Sequence, residues 1–179
     1  MTKSIVLGGG CFWCTEAIFR RVAGVVEVAP GYAGGDIPDP TYEEVATGTT
    51  GHAEVVKITY DPDLVSLKRL LAIFFSTHNP TTLNMQGADI GTEYRSIILY
   101  KDDADVASIR AALHDVQSNL QDDVVTEVRP LEVFYEAERF HHNFYEKNTV
   151  LPYCQMVIHP KLESLYAFIQ NNPADGKTE

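Results

Sequence analysis

The sequence has few basic residues, few cysteines and no long apolar run. Its 179 residues include 14 Lys and Arg against 25 Asp and Glu, which gives a net charge of −11. This acidic balance argues against nucleic acid or an anionic membrane as a partner. The apolar runs are too short for a membrane span or a signal peptide, so we expect a cytoplasmic protein. Three cysteines are too few for a structural disulfide framework, which leaves them reactive or passively buried.

Alternation of strand and helix patterns predicts one mixed domain. The order approximates β-α-β-β-α-β, which predicts an α+β protein, a ferredoxin-like two-layer α/β sandwich with long loops and a C-terminal extension. We expect a single domain over residues 1–172 and a flexible tail over 173–179. Helices are predicted over 66–75, 102–120, 137–146 and 161–171. Strands are predicted over 5–7, 52–60, 94–100, 124–128 and 131–135.

The segment Gly8–Glu16 is the most informative part of the chain. It reads as the end of a strand, a glycine turn and the start of a helix, with Cys11 at the helix N-terminus. Unpaired N–H groups and the helix dipole stabilise an anion there, so we expect a lowered pKa and a reactive thiolate at Cys11. The adjacent Phe12 and Trp13 can wall an apolar pocket, which suits a thioether methyl group.

The other two cysteines leave alternatives open. Cys14 follows Cys11 at a spacing compatible with a disulfide, and Cys154 lies near the C-terminus. A sulfenic acid formed at Cys11 requires a second thiol, and either cysteine can supply it. A zinc site would need all three cysteines and a histidine, but no recognisable metal-ligand spacing is present. The candidate histidines are His141, His142 and His159.

Four polar side chains lie in or beside the predicted loops and strands. If Glu54 points inward from its strand, burial will raise its pKa and make it a general acid near neutral pH. Tyr42 and Tyr94 border irregular loops, where a phenol can donate to a polar ligand oxygen. Asp89 lies in a glycine-rich turn and by default is a turn residue.

Taken together, these segments resemble the A-class peptide-methionine (S)-S-oxide reductases. The resemblance covers most of the chain and is specific because several motifs occur in the family's order. These motifs are Gly10-Cys11-Phe12-Trp13 with Glu16, Gly31–Gly35, Pro40–Val45, Thr50–Glu54, His78–Asn84, Gln86–Asp89, Gly91–Ser96, and Phe134–Glu138 with His141.

The resemblance implies roles at matching positions. Cys11 would be the nucleophile that attacks the sulfoxide sulfur, and Glu54 the acid that protonates the sulfoxide oxygen. Phe12 and Trp13 would enclose the ε-methyl group of the substrate. The implied activity is reduction of methionine S-sulfoxide to methionine, in proteins and as the free amino acid.

The resemblance also implies the supporting groups. Tyr42 and Tyr94 would donate hydrogen bonds to the sulfoxide oxygen, and Asp89 would hold the site and its water. Cys154 matches a recycling cysteine of the family and is the first candidate to resolve the sulfenic acid. Cys14 is the second candidate, because the family frequently has glycine at that position.

The implied electron source is a thioredoxin-like dithiol, with no metal or organic cofactor. The expected partners are oxidised proteins bearing methionine sulfoxide and that reductant, with no nucleic acid and no membrane, and we expect a monomer. The residues alone leave two other interpretations. One is a general dithiol oxidoreductase that uses Cys11 and Cys14, and the other is a non-catalytic zinc or peptide-binding module.

Overall fold

The computed structural model describes residues 1–174. Single turns of 3-10 helix lie at Thr92–Tyr94, Asp103–Asp105 and Arg139–His141, and a π-helical turn covers Cys154–Ile158. The strands are β1 (Lys3–Gly8), β2 (Val25–Ala33), β3 (Ala53–Tyr60), β4 (Met85–Gln86), β5 (Asp89–Ile90), β6 (Ile97–Tyr100), β7 (Glu127–Pro130) and β8 (Phe134–Glu136). The helices are α1 (Phe12–Phe19), α2 (Tyr42–Ala46), α3 (Leu67–Ser76), α4 (Val106–Ser118), α5 (Phe144–Lys147) and α6 (His159–Asn171).

Within residues 1–174, six strands form the main sheet in the order β7-β6-β1-β3-β2-β8. Neighbouring strands are antiparallel except β6 and β7, which are parallel. The β4 and β5 strands form a separate hairpin. The predicted α+β class is confirmed.

The two faces of the main sheet bury different residues because side chains alternate along each strand. Leu7, Val56 and Ile58 belong to the large core that includes α1, α3 and α6, whereas Val6 and Val55 belong to a smaller core on the opposite face. Glu54 has the same parity as Val56 and Ile58, so it lies on the face covered by α1. This register, which the sequence left open, decides the position of the carboxyl group.

The α3 helix forms where it was predicted. The Ser66 side chain accepts a hydrogen bond from the Arg69 N–H and caps the helix start. Leu70, Leu71 and Phe74 are buried on its inner face. Position 9 has little room for a side chain, since an added Cβ would lie 3.0 Å from the Phe74 ring and 3.1 Å from the His78 ring. The α3 helix therefore packs, through Phe74, against the glycine turn that leads to Cys11.

The prediction of one helix over 137–146 is wrong. The segment instead contains the Arg139–His141 turn and the short α5, separated by Asn143 in the left-handed region with φ of 53°. Both carboxylate oxygens of buried Glu16 accept from the Asn143 N–H, at 2.9 and 3.0 Å. This tertiary contact interrupts the helix and fixes the segment against α1.

The next two observations concern membrane-spanning helices and the C-terminal tail. In the part that the structure describes, no helix combines the length and the apolar character needed to cross a membrane. The predicted tail began at residue 173, and its residues 175–179 lie outside the described residues.

Candidate active site

Cys11 lies where β1 passes into α1. Gly10 has φ of +100°, a conformation that L side chains rarely adopt, and this turn makes Cys11 the N-cap of α1. The Cys14 N–H donates to the Cys11 carbonyl oxygen at 3.1 Å, which begins the first helical turn. The glycine turn thus fixes Cys11 at the start of α1, as predicted.

The electrostatics of Cys11 differ from the sequence expectation. Burial raises the pKa of the Cys11 thiol well above its usual value, and Cys14 and Glu54 raise it further. Cys11 is only 7% exposed, so the loss of solvation is the largest cause, and a hydrogen bond from Tyr153 opposes it. Cys11 is therefore a thiol at neutral pH, and the predicted lowering of its pKa is wrong.

Glu54 reaches the N-terminus of α1 from β3. Its Oε2 accepts a hydrogen bond from the Phe12 N–H at 3.0 Å, and the residue is 2% exposed. Burial raises the pKa of Glu54 to about 8, although the Phe12 hydrogen bond opposes this shift. Glu54 consequently holds a proton at neutral pH beside the residue that follows Cys11. A protonated buried carboxyl in this position can act as a general acid.

Two phenols face the same region. Tyr42 at the start of α2 and Tyr94 in the turn before β6 are half-buried. Burial raises the pKa of both side chains, to about 12 for Tyr42, and Glu54 and Cys11 raise the pKa of both further once they ionise at high pH. Both hydroxyl groups are therefore protonated at neutral pH and able to donate a hydrogen bond. Both tyrosines thus lie near enough to Cys11 and Glu54 to be affected by their ionisation.

Asp89 lies in the β4–β5 hairpin and contacts a residue that the sequence analysis did not select. Its Oδ2 accepts a hydrogen bond from the Tyr153 hydroxyl at 2.8 Å. The same hydroxyl lies 3.8 Å from Cys14 Sγ. Tyr153 directly precedes Cys154 in the sequence, and this adjacency was the only signal that could have identified it.

Phe12 and Trp13 occupy different environments. Phe12 is 1% exposed and packs between the rings of Tyr32 and His141, with centroid distances of 5.7 and 5.1 Å. Trp13 is half-buried and stacks on Phe144 with ring centroids 3.6 Å apart. Trp13 therefore presents accessible aromatic surface, whereas Phe12 supports the site from within.

His141 is a second residue whose role only the structure reveals. Its Nδ1 accepts from the Trp13 indole N–H at 3.1 Å, and its ring lies 4.5 Å from that of Tyr42. Burial lowers the pKa of His141, which keeps the ring neutral and Nδ1 free to accept. His141 therefore fixes the orientation of Trp13 and packs against Tyr42.

Glu138 links the Tyr42 segment to the sheet. One of its carboxylate oxygens accepts from the Tyr32 hydroxyl at 3.0 Å, and the other accepts from the Tyr42 N–H at 3.1 Å. Tyr32 lies opposite Glu54 in the β2–β3 register. These bonds hold the start of α2 close to the carboxyl-bearing part of β3.

All three cysteines are reduced and buried. Cys14 lies in the first turn of α1, where hydrogen bonding to Cys11 lowers the pKa of its thiol. Cys154 is in the π-helical turn, and burial and the charge of Cys14 raise the pKa of its thiol. Among residues 1–174, no group of three or more His, Cys, Asp or Glu side chains is arranged to hold a metal ion.

The raised pKa of Glu54 predicts a pH-dependent stability cost. A carboxyl with a folded pKa near 8 and an unfolded pKa near 4.5 binds more protons when folded, so stability is lost as pH rises between these values. We expect Glu54→Gln to be more stable than the parent at pH 9, by a few kcal/mol, on the order expected for a shift of this size. Urea unfolding at pH 5 and pH 9 measures the difference.

The control for this stability prediction is Glu132→Gln, since Glu132 is exposed at the protein surface. It should leave the pH dependence of the unfolding free energy unchanged. An equal pH dependence in the parent and in Glu54→Gln would contradict a raised pKa at Glu54.

The chain is similar in sequence to known proteins. A sequence profile described as "Peptide methionine sulfoxide reductase" matches residues 3–173. "Peptide methionine sulfoxide reductase MsrA" of Saccharolobus solfataricus is 55% identical over 157 residues, covering 88% of this chain and 89% of that protein.

Solved structures are also similar. The crystal structure of Mxr1 from Saccharomyces cerevisiae in reduced form has a TM-score of 0.81 at 35% identity, covering 86% of this chain and 89% of that one. The structure of Mxr1 in complex with Trx2 has a TM-score of 0.58 at 26% identity, covering 80% and 84% of the two chains.

Proposed function

The chain belongs to the peptide methionine sulfoxide reductase family, and from this premise we propose that it reduces the S epimer of methionine sulfoxide, in proteins and as the free amino acid. The observation that carries the proposal is the pairing of Cys11 at the N-cap of α1 with Glu54, a buried carboxyl hydrogen-bonded to the Phe12 N–H. Sulfoxide reduction needs a soft nucleophile and an acid, and this pairing supplies both.

Cys11 and Glu54 divide the first step between them. The Cys11 sulfur attacks the sulfoxide sulfur while Glu54 donates its proton to the sulfoxide oxygen. The sulfur–sulfur bond made in this attack breaks as the protonated oxygen passes to Cys11, so the thioether leaves as methionine and the thiol proton returns to Glu54. Cys11 is thereby oxidised from a thiol to a sulfenic acid as the sulfoxide is reduced. Protonation matters because the unprotonated oxygen is a poor leaving group.

The supporting side chains hold the substrate in place. Tyr42 and Tyr94 donate hydrogen bonds to the sulfoxide oxygen, a role supported by the effect of Glu54 and Cys11 on both phenols. Asp89 holds the site through its contact with Tyr153. Trp13 contacts the substrate methyl group, with Phe12 packed behind it, since sulfur and aromatic rings attract one another.

We propose that both remaining cysteines act after the first step. Cys14 lies in the first turn of the helix that Cys11 caps, which favours it for the first disulfide, formed with release of water. Cys154 then attacks the Cys14 sulfur, regenerates the Cys11 thiol and leaves a Cys14–Cys154 disulfide. The influence of Cys14 on the pKa of Cys154 supports this second exchange.

This route predicts the thiol count after one turnover. Reduced enzyme given S-sulfoxide substrate without reductant should lose two of its three thiols, with Cys11 free in the parent. Cys154→Ser should also lose two thiols, through a Cys11–Cys14 disulfide. Thiol titration and peptide mapping of the oxidised chains measure both outcomes. A Cys11–Cys154 disulfide formed at the parent rate in Cys14→Ser would contradict the order.

A direct assay tests the function itself. The reduced protein is given dithiothreitol and peptides that carry either methionine S-sulfoxide or the R epimer, and methionine is quantified. We expect methionine from the S epimer and little from the R epimer. No methionine from either epimer would overturn the proposal, and reduction of insulin disulfides instead would favour a general dithiol oxidoreductase.

We propose a thioredoxin-like dithiol as the final reductant and oxidised proteins as substrates. The structure of the related Mxr1 in complex with Trx2 supports a thioredoxin partner. Electrons then come from thiols, without a metal or an organic cofactor. We also propose a cytoplasmic monomer, because a reducing compartment keeps cysteine thiols available for recycling.

We also propose a finer description of the fold. The strands β1, β2, β3 and β6 lie in the spatial order β6-β1-β3-β2, with α1 and α3 in the two crossover connections. This order supports a ferredoxin-like two-layer sandwich extended by β7 and β8 at the sheet edges. Residues 1–172 would form the single catalytic domain.

A further inference from the structure

The Tyr153 hydroxyl joins two groups that the proposed first step leaves unlinked. It donates to Asp89 Oδ2 at 2.8 Å and lies 3.8 Å from Cys14 Sγ. Its ring meets the Trp13 ring edge-on, with centroids 5.9 Å apart, which orients the phenol beside α1. Tyr153, Asp89 and Cys14 come from three separate parts of the chain, so tertiary packing alone brings them together.

The single hydroxyl proton fixes the direction of both hydrogen bonds. An Asp carboxylate can only accept, so the Tyr153 O–H donates to Asp89. The phenol oxygen is then left to accept, and the Cys14 S–H lies within reach at 3.8 Å, with the Cys11 thiol also close to the same hydroxyl. The result is a continuous donor chain from the Cys14 thiol through the Tyr153 hydroxyl to the Asp89 carboxylate.

We propose that Tyr153, backed by Asp89, is the proton acceptor for Cys14 when Cys14 attacks the Cys11 sulfenic acid. This role rests on the proposed function, which forms that sulfenic acid. As the sulfur–sulfur bond forms and the S–O bond of Cys11 breaks, the Cys14 proton passes to Tyr153 and the Tyr153 proton passes to Asp89. The departing hydroxide then takes a proton back along the same path and leaves as water.

The surroundings of Cys14 favour this route. Cys14 is 1% exposed, so its proton has little direct access to solvent. The groups that act on it are Cys11 on its own helix, Asp89 and Tyr153, and Lys161 on α6. Lys161 lowers the pKa of Cys14 through its charge but, as an ammonium, has no lone pair to accept the proton. Asp89 and Tyr153 therefore form the available acceptor path.

The test isolates the resolving step in Cys154→Ser, where only Cys11 and Cys14 can pair. After one turnover with S-sulfoxide substrate, rapid quenching measures methionine, dimedone-trapped sulfenic acid and the Cys11–Cys14 disulfide. Adding Tyr153→Phe should slow disulfide formation at least about 10-fold, on the scale of general base catalysis, and sulfenic acid should accumulate. Tyr166→Phe, at a half-exposed position on α6, is the matched control.

The pH profile separates proton transfer from a structural effect. Without its acceptor, Cys14 must ionise to solvent, so the rate of disulfide formation in Tyr153→Phe should rise about tenfold per pH unit below the Cys14 pKa. The Cys154→Ser parent should show a much flatter profile over pH 6–8. Asp89→Asn, which keeps an oxygen that can accept from Tyr153, should resemble Tyr153→Phe. This second variant serves if Tyr153→Phe does not fold.

The following results would decide whether Tyr153 accepts the Cys14 proton. Disulfide formation in Tyr153→Phe at the parent rate, or slower but with the parent's pH profile, would overturn the acceptor role. Methionine accompanied by trapped sulfenic acid and a steep pH dependence would support it. No methionine from the Cys154→Ser parent would instead overturn the proposed function, which is a separate readout.

Discussion

Replacing Cys11 with serine is expected to lower methionine formation from the S-sulfoxide by about 10⁴-fold or more, as for other lost nucleophiles. The hydroxyl of serine is far less nucleophilic than sulfur and cannot form a sulfenic acid. Neither Cys14 nor Cys154 occupies the N-cap of α1 beside Glu54. Steady-state turnover with dithiothreitol as reductant measures the loss.

Cys154→Ser is the matched control for the Cys11 prediction. Dithiothreitol can reduce a Cys11 sulfenic acid or a Cys11–Cys14 disulfide directly, so Cys154→Ser should retain substantial turnover under these conditions. Thermal unfolding should show that both variants are folded. Full activity in Cys11→Ser would remove the assigned nucleophile and, with it, the proposed chemistry.

Replacing Glu54 with glutamine is expected to lower turnover by 10²- to 10⁴-fold, the typical range for loss of a general acid. The glutamine oxygen can still accept from the Phe12 N–H, so the start of α1 keeps its hydrogen bond. What is lost is the proton that the buried carboxyl holds at neutral pH. The comparison of kcat/KM for parent and variant at pH 7 measures this contribution.

The role of Glu54 also predicts how turnover changes with pH. The acid works only when protonated, and the pKa of Glu54 is raised to about 8, so parent activity should fall as pH rises through about 8. Glu54→Gln should lack a fall with that midpoint, whereas the exposed Glu132→Gln should retain it. An unchanged pH profile in Glu54→Gln would show that another group donates the proton.

At Glu54, the sequence predicted the strand but not the face of the sheet on which the carboxyl lies. The alternation over 52–60 predicted a strand, and β3 covers Ala53–Tyr60. Which face the carboxyl took depended on the pairing of β3 with β1 and β2, and those contacts are remote in sequence. The same limit applies to Tyr153, whose hydroxyl reaches Asp89 across 64 positions of the chain.

Two predictions were wrong because burial and tertiary contacts exceeded local preferences. The helix N-terminus at Cys11 favours an anion, but desolvation of the thiol raises its pKa instead. Residues 137–146 have a helical pattern, but the bond from the Asn143 N–H to Glu16 holds Asn143 in a left-handed conformation. In both cases the outcome was set by interactions with residues distant in the sequence, which a local sequence pattern does not include.

Local chemistry sets the turn of Gly8–Gly10, the helix that starts after Cys11 and the cap at Ser66, since each depends on residues a few positions apart. These features were readable from the order of amino acids alone. Folding decided that Cys11, Glu54 and two phenols meet, and that Tyr153 stands between Asp89 and Cys14. Solvent exclusion and long-range packing exist only in the folded chain, and they determine which of these groups carries a proton.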